Sequence, residues 1–188
     1  MKTRLTFLLI FSTLLFAPAT WALGQIGHQM VCQLSFELLT PANQQKITKL
    51  LARLTKQEQQ LINRYNHLAK DKAVDFATSC TWADAIKKRA EFSQFKSWHF
   101  INLARTTTEI NDSSCTKDCV TQAIAYHKNQ LIHAEQDDSK LIALMFLGHW
   151  LGDIHQPLHV SFASDYGGNK NKVIPAVGRC DNLHWYWD

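Results

Sequence analysis

The residues best able to do chemistry are concentrated in one short stretch, His149-Trp150-Leu151-Gly152-Asp153-Ile154-His155-Gln156-Pro157-Leu158-His159. On a helix, positions four apart share a face, so the imidazole of His149 and the carboxylate of Asp153 can reach the same cation. Pro157 lacks the N–H that would bond back to Asp153, so it kinks or ends the helix and lets His159 leave the helical register to ligate a second, neighbouring metal. The preceding run, Ile142 to Leu147, is buried in character, and polar groups beside it would be costly without partners. A lone His on such a helix is more often a core residue; three groups able to bind a metal favour ligation.

The pattern recurs elsewhere in the chain. His184 and Asp188 repeat the spacing of four, Trp82-Ala83-Asp84 sets an acid in an apolar turn, and Trp98-His99-Phe100 sets a histidine between two aromatics. Taken singly, Asp84 reads equally well as an exposed helix residue and His99 as a core histidine. Together Asp84, His99, His149, Asp153, His159, His184 and Asp188 form a nitrogen and oxygen donor set that suits zinc and exceeds what one ion needs.

Helices must position these donors. Val31, Leu34, Leu38 and Leu39 recur at helical spacing after His28, and Thr40-Pro41 opens a second helix through Ile47, Leu50, Leu51 and Leu54. Further helices are predicted over about 57–69, 73–89, 120–135 and 139–156, with an extended piece at Ser97–Leu103 and a polar loop before Cys119. No alternating run argues for a sheet, so the predicted class is all-α. The chain has 188 residues, 46% of them hydrophobic and 19% charged, which excludes a disordered tail or a coiled coil and allows one domain with a real core. A net charge of +4 is too mild to declare nucleic-acid binding by itself.

Residues 1–22 read as a secretory signal peptide: Lys2 and Arg4 precede an apolar run, Leu5 to Ala17, which is shorter than a membrane span, and small residues follow it up to Ala22. Cleavage after Ala22 exposes Leu23; cleavage after Thr20, exposing Trp21, is the alternative. Export to a secreted or periplasmic location favours disulfides among Cys32, Cys80, Cys115, Cys119 and Cys180. Cys115 and Cys119 are near enough to close a small loop, in preference to a metal site, and the odd total leaves one thiol free or partnered outside the chain.

The motifs resemble the secreted zinc-dependent single-strand nucleases of fungi, plants and bacteria, the S-one/P-one type, across residues 23–188. Six blocks occur in that family's order: Gly27-His28, Trp82-Ala83-Asp84, His99-Phe100-Ile101, the His149-to-His159 stretch, Gly167-Gly168-Asn169, and Asn182-Leu183-His184 with Trp187-Asp188. The resemblance implies a mostly helical single domain around a trinuclear zinc site. Asp84, His99, His149 and Asp153 would hold one ion, and His159, His184 and Asp188 a second. His28, Asp153 and the mature N-terminal residue, Leu23 where the family usually has Trp, would hold the third.

Such a cluster implies endonucleolytic hydrolysis of single-stranded DNA and RNA by a zinc-bound hydroxide, with 5′-phosphorylated products and 3′-nucleotidase activity as a possible companion. Lys87, where many relatives carry Arg, is a candidate for contacting phosphoryl oxygens; the alternative is a solvated helix charge. Phe100 resembles the family's base-stacking platform, and Asn102 stands where fungal members read the base edge with Asp. His155 is assigned to the surface or to a supporting role, and His67, His127 and His133 to ordinary exposed positions. A zinc phospholipase C and an inactive zinc-binding protein are the competing readings. The expected form is a monomer without stable membrane association, and stopping at Asp188 suggests a C-terminally truncated member.

Overall fold

The computed structural model describes residues 24–111, 114–115, 118–177 and 180–188. The expected signal peptide and Leu23 therefore lie outside the described residues. Helix α1 covers Gln25–Glu37. Helix α2, Pro41–Leu51, starts where the sequence places it, with Pro41 in the first turn and the Thr40 side chain accepting the Asn43 N–H. Thr55 caps α3, Lys56–Tyr65, in the same way through the Glu58 N–H.

The long helix expected from about 73 to 89 is instead two short ones, α4 (Phe76–Ser79) and α5 (Trp82–Ile86). Asp75 and Thr78 form a reciprocal cap, and the Ser79 and Thr81 hydroxyls donate to the carbonyls of Phe76 and Thr78. These local bonds compete with the helical ladder and break it between the two segments. The expected extended piece is likewise shorter: Ala90–His99 is a 3₁₀ helix, and only Ile101–Leu103 forms strand β1.

Two long helices follow, α6 (Val120–His133) and α7 (Asp137–Asp153), then β2 (Val160–Phe162), a 3₁₀ turn at Ala163–Asp165, β3 (Lys172–Val177), β4 (Cys180–Asn182) and α8 (Leu183–Trp187). The strands form two small sheets that the sequence pattern did not announce. β1 runs parallel to β2, pairing Ile101 with Val160 and Leu103 with Phe162, and β3 pairs antiparallel with β4. β1, β2 and β4 have only three residues each, too few to display an alternating period. The molecule is otherwise helical, as expected.

Helix α7 is the centre of the core. It packs against α1, α2, α5 and α6, and buries Leu141, Leu144, Met145, Phe146 and Trp150. A helix enclosed on most sides must be apolar nearly all round, which is how its sequence reads. A Cys32–Cys80 disulfide joins α1 to the α4–α5 junction across a sequence separation of 48. Closing such a loop stabilises by about 4 kcal/mol through unfolded-state entropy. Cys115 pairs with Cys119, so the small-loop disulfide is present and the metal alternative for that pair is overturned; Cys180 is a free thiol. Among the described residues, no helix is long and apolar enough to cross a membrane.

Candidate metal centre

The fold brings eight predicted donors together from six places. His28 comes from α1, Asp84 from α5, His99 from the end of the 3₁₀ helix, His149 and Asp153 from α7, His159 from the approach to β2, and His184 and Asp188 from the last segment. They form three groups able to hold a metal ion, two of which share His149: Asp84 with His99 and His149; His28 with His149 and Asp153; and His159 with His184 and Asp188. Seven of the eight line one pocket of about 590 Å³, and His149 is fully buried.

Asp153 is the hub. Its Oδ2 lies 3.0 Å from His99 Nδ1 and 3.3 Å from His149 Nε2. Its Oδ1 lies 3.3 Å from His28 Nε2 and 3.1 Å from His159 Nδ1, yet makes no hydrogen bond although it is buried. A buried, unsatisfied carboxylate oxygen among ring nitrogens is a group that a bound cation would satisfy. Burial alone would raise the Asp153 pKa, but the charges of His149 and His99 outweigh it and hold the carboxyl well below its ordinary range.

The histidines are oriented by the backbone. His149 Nδ1 donates to the carbonyl of Cys80 at 2.8 Å, His159 Nδ1 to that of His99 at 2.8 Å, and His184 Nδ1 to that of Gly167 at 2.8 Å. Each bond commits one ring nitrogen and leaves Nε2 free to ligate, as in the outer shell of metal sites. Accordingly, His159 Nε2 and His184 Nε2 lie 3.5 and 3.3 Å from the Asp188 carboxylate. Gly167 sits at φ +60°, and a Cβ there would come within 2.5 Å of the Leu158 carbonyl, so only glycine presents this acceptor to His184.

Electrostatics follow the geometry. Burial works against ionisation of Asp84 and Asp188 too, yet His149 and Lys87 for the first, and His159 and His184 for the second, hold both well below the carboxylate range. Burial and the neighbouring His149 keep His28 below its usual value. Burial would lower His159, but the neighbouring Asp153 and Asp188 carboxylates push it up to about 10 in the metal-free protein.

Lys87 pairs with Asp84 at 2.9 Å on the pocket wall. Tyr65, which no sequence signal singled out, donates to the other oxygen of Asp84 at 3.1 Å; burial and Asp84 raise its pKa, so it stays a phenol. Phe100 lines the pocket, whereas Asn102 lines an adjoining cleft of about 570 Å³ that shares Phe100. The Asn102 Oδ1 is buried without a hydrogen-bond partner. His155 is exposed, as are His67 and His133.

His127 corrects the expectation of an exposed position: it is only 3% exposed. It lies on the face of α6 that packs on α7, among Phe95, Trp98, Phe146 and Trp150, with its Nδ1 2.9 Å from the Ala123 carbonyl oxygen and 3.1 Å from Trp150 Nε1. A polar residue with a hydrogen-bond partner is stable in such a core.

A mostly helical fold carrying a His and Asp cluster with three neighbouring donor groups defines a candidate multinuclear metalloprotein. The chain belongs to the S1/P1 nuclease family, whose model matches residues 23–188. It is 32% identical over 189 residues to Endonuclease 3 of Arabidopsis thaliana, covering 96% of this chain and 58% of that protein. It is 32% identical over 184 residues to Nuclease S1 of Aspergillus oryzae, covering 94% and 57%, and 33% identical over 118 residues to Nuclease P1 of Penicillium citrinum, covering 60% and 43%. The chain thus spans less than two thirds of the length of these relatives.

Proposed function

We propose that this chain carries the catalytic centre of a zinc-dependent endonuclease that hydrolyses single-stranded DNA and RNA to 5′-phosphorylated products, with 3′-nucleotidase activity at the same centre. The observation that carries the reading is the set of three histidines whose Nδ1–H groups are tied to main-chain carbonyls while their Nε2 atoms converge on Asp153 and Asp188. Bound zinc ions supply Lewis acidity and activate water near neutral pH. Asp84, His99, His149 and Asp153 would hold one ion, His159, His184 and Asp188 a second, and His28 with Asp153 and the Leu23 amino terminus a third.

The remaining work falls to this chain's own groups. Tyr65 and Lys87 each donate to one oxygen of Asp84 and so fix its carboxylate. The Lys87 ammonium stands on the pocket wall where phosphoryl oxygens can share it. Phe100 offers a face to a base of any identity. Asn102 lines the adjoining cleft, where an amide, unlike a carboxylate, can both donate to and accept from a base edge. We further infer that residues 1–22 are removed on secretion and that the protein acts as a monomer.

The test is turnover by protein beginning at Leu23, with and without chelator, on single-stranded DNA, RNA and phosphatidylcholine. Chelator-sensitive cleavage of both nucleic acids is expected. Turnover of the lipid alone would identify a phospholipase instead, and no turnover after zinc reconstitution would identify a binding protein.

A further inference from the structure

His99 and His184 belong to different donor groups, and each is followed directly by an exposed aromatic residue, Phe100 and Trp185. Both aromatics line the same 590 Å³ pocket, Phe100 being 37% and Trp185 44% exposed. Trp185 is held in place by its backbone, because its N–H donates to the Asn182 side chain at 2.9 Å in the cap of α8. Two aromatic side chains on the wall of a pocket that also carries charged groups suit a flat ligand. Lys88 and Lys96 line the same pocket and take part in no ion pair among the described residues.

We propose that Trp185 is a second base-stacking platform, so that a substrate strand crossing the centre places one base on Phe100 and the base on the other side of the scissile phosphate on Trp185. Lys88 and Lys96 meet the adjoining phosphates. The inference rests on the nuclease reading and sharpens it: the preferred substrate is a strand with bases on both sides of the cleaved bond rather than a mononucleotide. Stacking tolerates every base and requires the base to be unpaired, so the contribution is independent of sequence and is lost on duplex substrates.

The test compares kcat/KM of wild type, Trp185→Ala and Phe100→Ala on a dinucleoside phosphate and on two one-base substrates, the methyl esters of a nucleoside 3′-phosphate and of a nucleoside 5′-phosphate. Each variant should lose about tenfold, mainly through KM, on the dinucleoside phosphate and on one of the two esters, the opposite ester for each variant. Trp185→Phe should recover most of the loss and Trp185→Leu should not. Zinc content and melting temperature report whether the neighbouring His184 is disturbed, and the Phe and Leu variants serve if Ala folds poorly.

Binding of a labelled short oligothymidylate to metal-free protein, read by anisotropy, needs no turnover and should weaken about tenfold in Trp185→Ala. Equal losses on both esters, no loss on either, or unchanged oligonucleotide binding would overturn the role of Trp185. Wild type that cleaves none of the substrates would overturn the nuclease reading instead, leaving the binding measurement to judge the platform.

Discussion

Gln156 Nε2 donates to Asp188 Oδ1 at 2.7 Å while its Oε1 accepts the N–H of Leu158, so one fully buried amide ties the turn after α7 to the last donor of the cluster. Asp188 follows a helix of only five residues, too short to hold a carboxylate in place by itself. Replacing Gln156 by Leu strands the Leu158 N–H and removes a donor from Asp188. The expected cost is about 1–3 kcal/mol of stability, with zinc affinity at the His159, His184 and Asp188 group falling about 10–100-fold. Thermal denaturation and chelator competition measure the two effects, and unchanged affinity would remove Gln156 from the support of Asp188.

Gly152 is a second buried support. A Cβ there would lie 2.4 Å from His28 Nδ1, and His28 stacks on His149 with ring centroids 3.8 Å apart. Neither ring has room to retreat, since both are buried. Gly152→Ala should therefore destabilise by about 1–3 kcal/mol and displace His28 from Asp153, lowering the number of zinc ions retained. Calorimetry with metal counting checks both, and full metal content would show that His28 moves without losing its function.

Zinc uptake should release protons. His159 in the metal-free protein keeps its proton up to about pH 10, and an imidazole must be neutral to ligate. Because this pKa is raised above 6.5, the stability it contributes to the metal-free fold is complete below pH 6.5 and is lost as the pH rises through about 10. Zinc affinity should accordingly climb with pH across the neutral range. Titration calorimetry at pH 7 in buffers of different ionisation enthalpy should show proton release on binding; buffer-independent heats would contradict it.

His127 predicts the opposite acid response. Burial lowers its pKa from 6.5 to about 4, so the unfolded chain takes up a proton that the folded chain refuses. Stability from this group is complete above pH 6.5 and declines as the pH falls toward 4, by about 3 kcal/mol over the window. His127→Phe should flatten the decline relative to wild type in acid denaturation of metal-free protein. Parallel curves for the two proteins would show that His127 is not the group responsible.

Much of the centre was legible because its donors come in short-range patterns. The spacing of four in His149 and Asp153 and in His184 and Asp188, and the proline that frees His159 from the helix, are local rules a sequence displays directly. The supporting contacts were not legible. Tyr65 reaches Asp84, the Cys80 carbonyl receives His149, and Gln156 reaches Asp188 across sequence separations of 19, 69 and 32, so no window of sequence contains both partners. His127 illustrates the same limit: its neighbours in sequence are those of an amphipathic helix, and only the packing of α6 on α7 reveals that its side faces the core.

The sequence by itself determined the mostly helical class, the chemistry of the candidate donors and the two four-residue His and Asp pairs, because helical periodicity and side-chain chemistry act over a few residues. The tertiary structure decided that Asp153 stands at the meeting point of four imidazoles, that three histidines are locked by distant carbonyls, and that Phe100 and Trp185 share a pocket. Those relations depend on how separate segments pack around α7, which is set by burial summed over the whole chain rather than by any one motif.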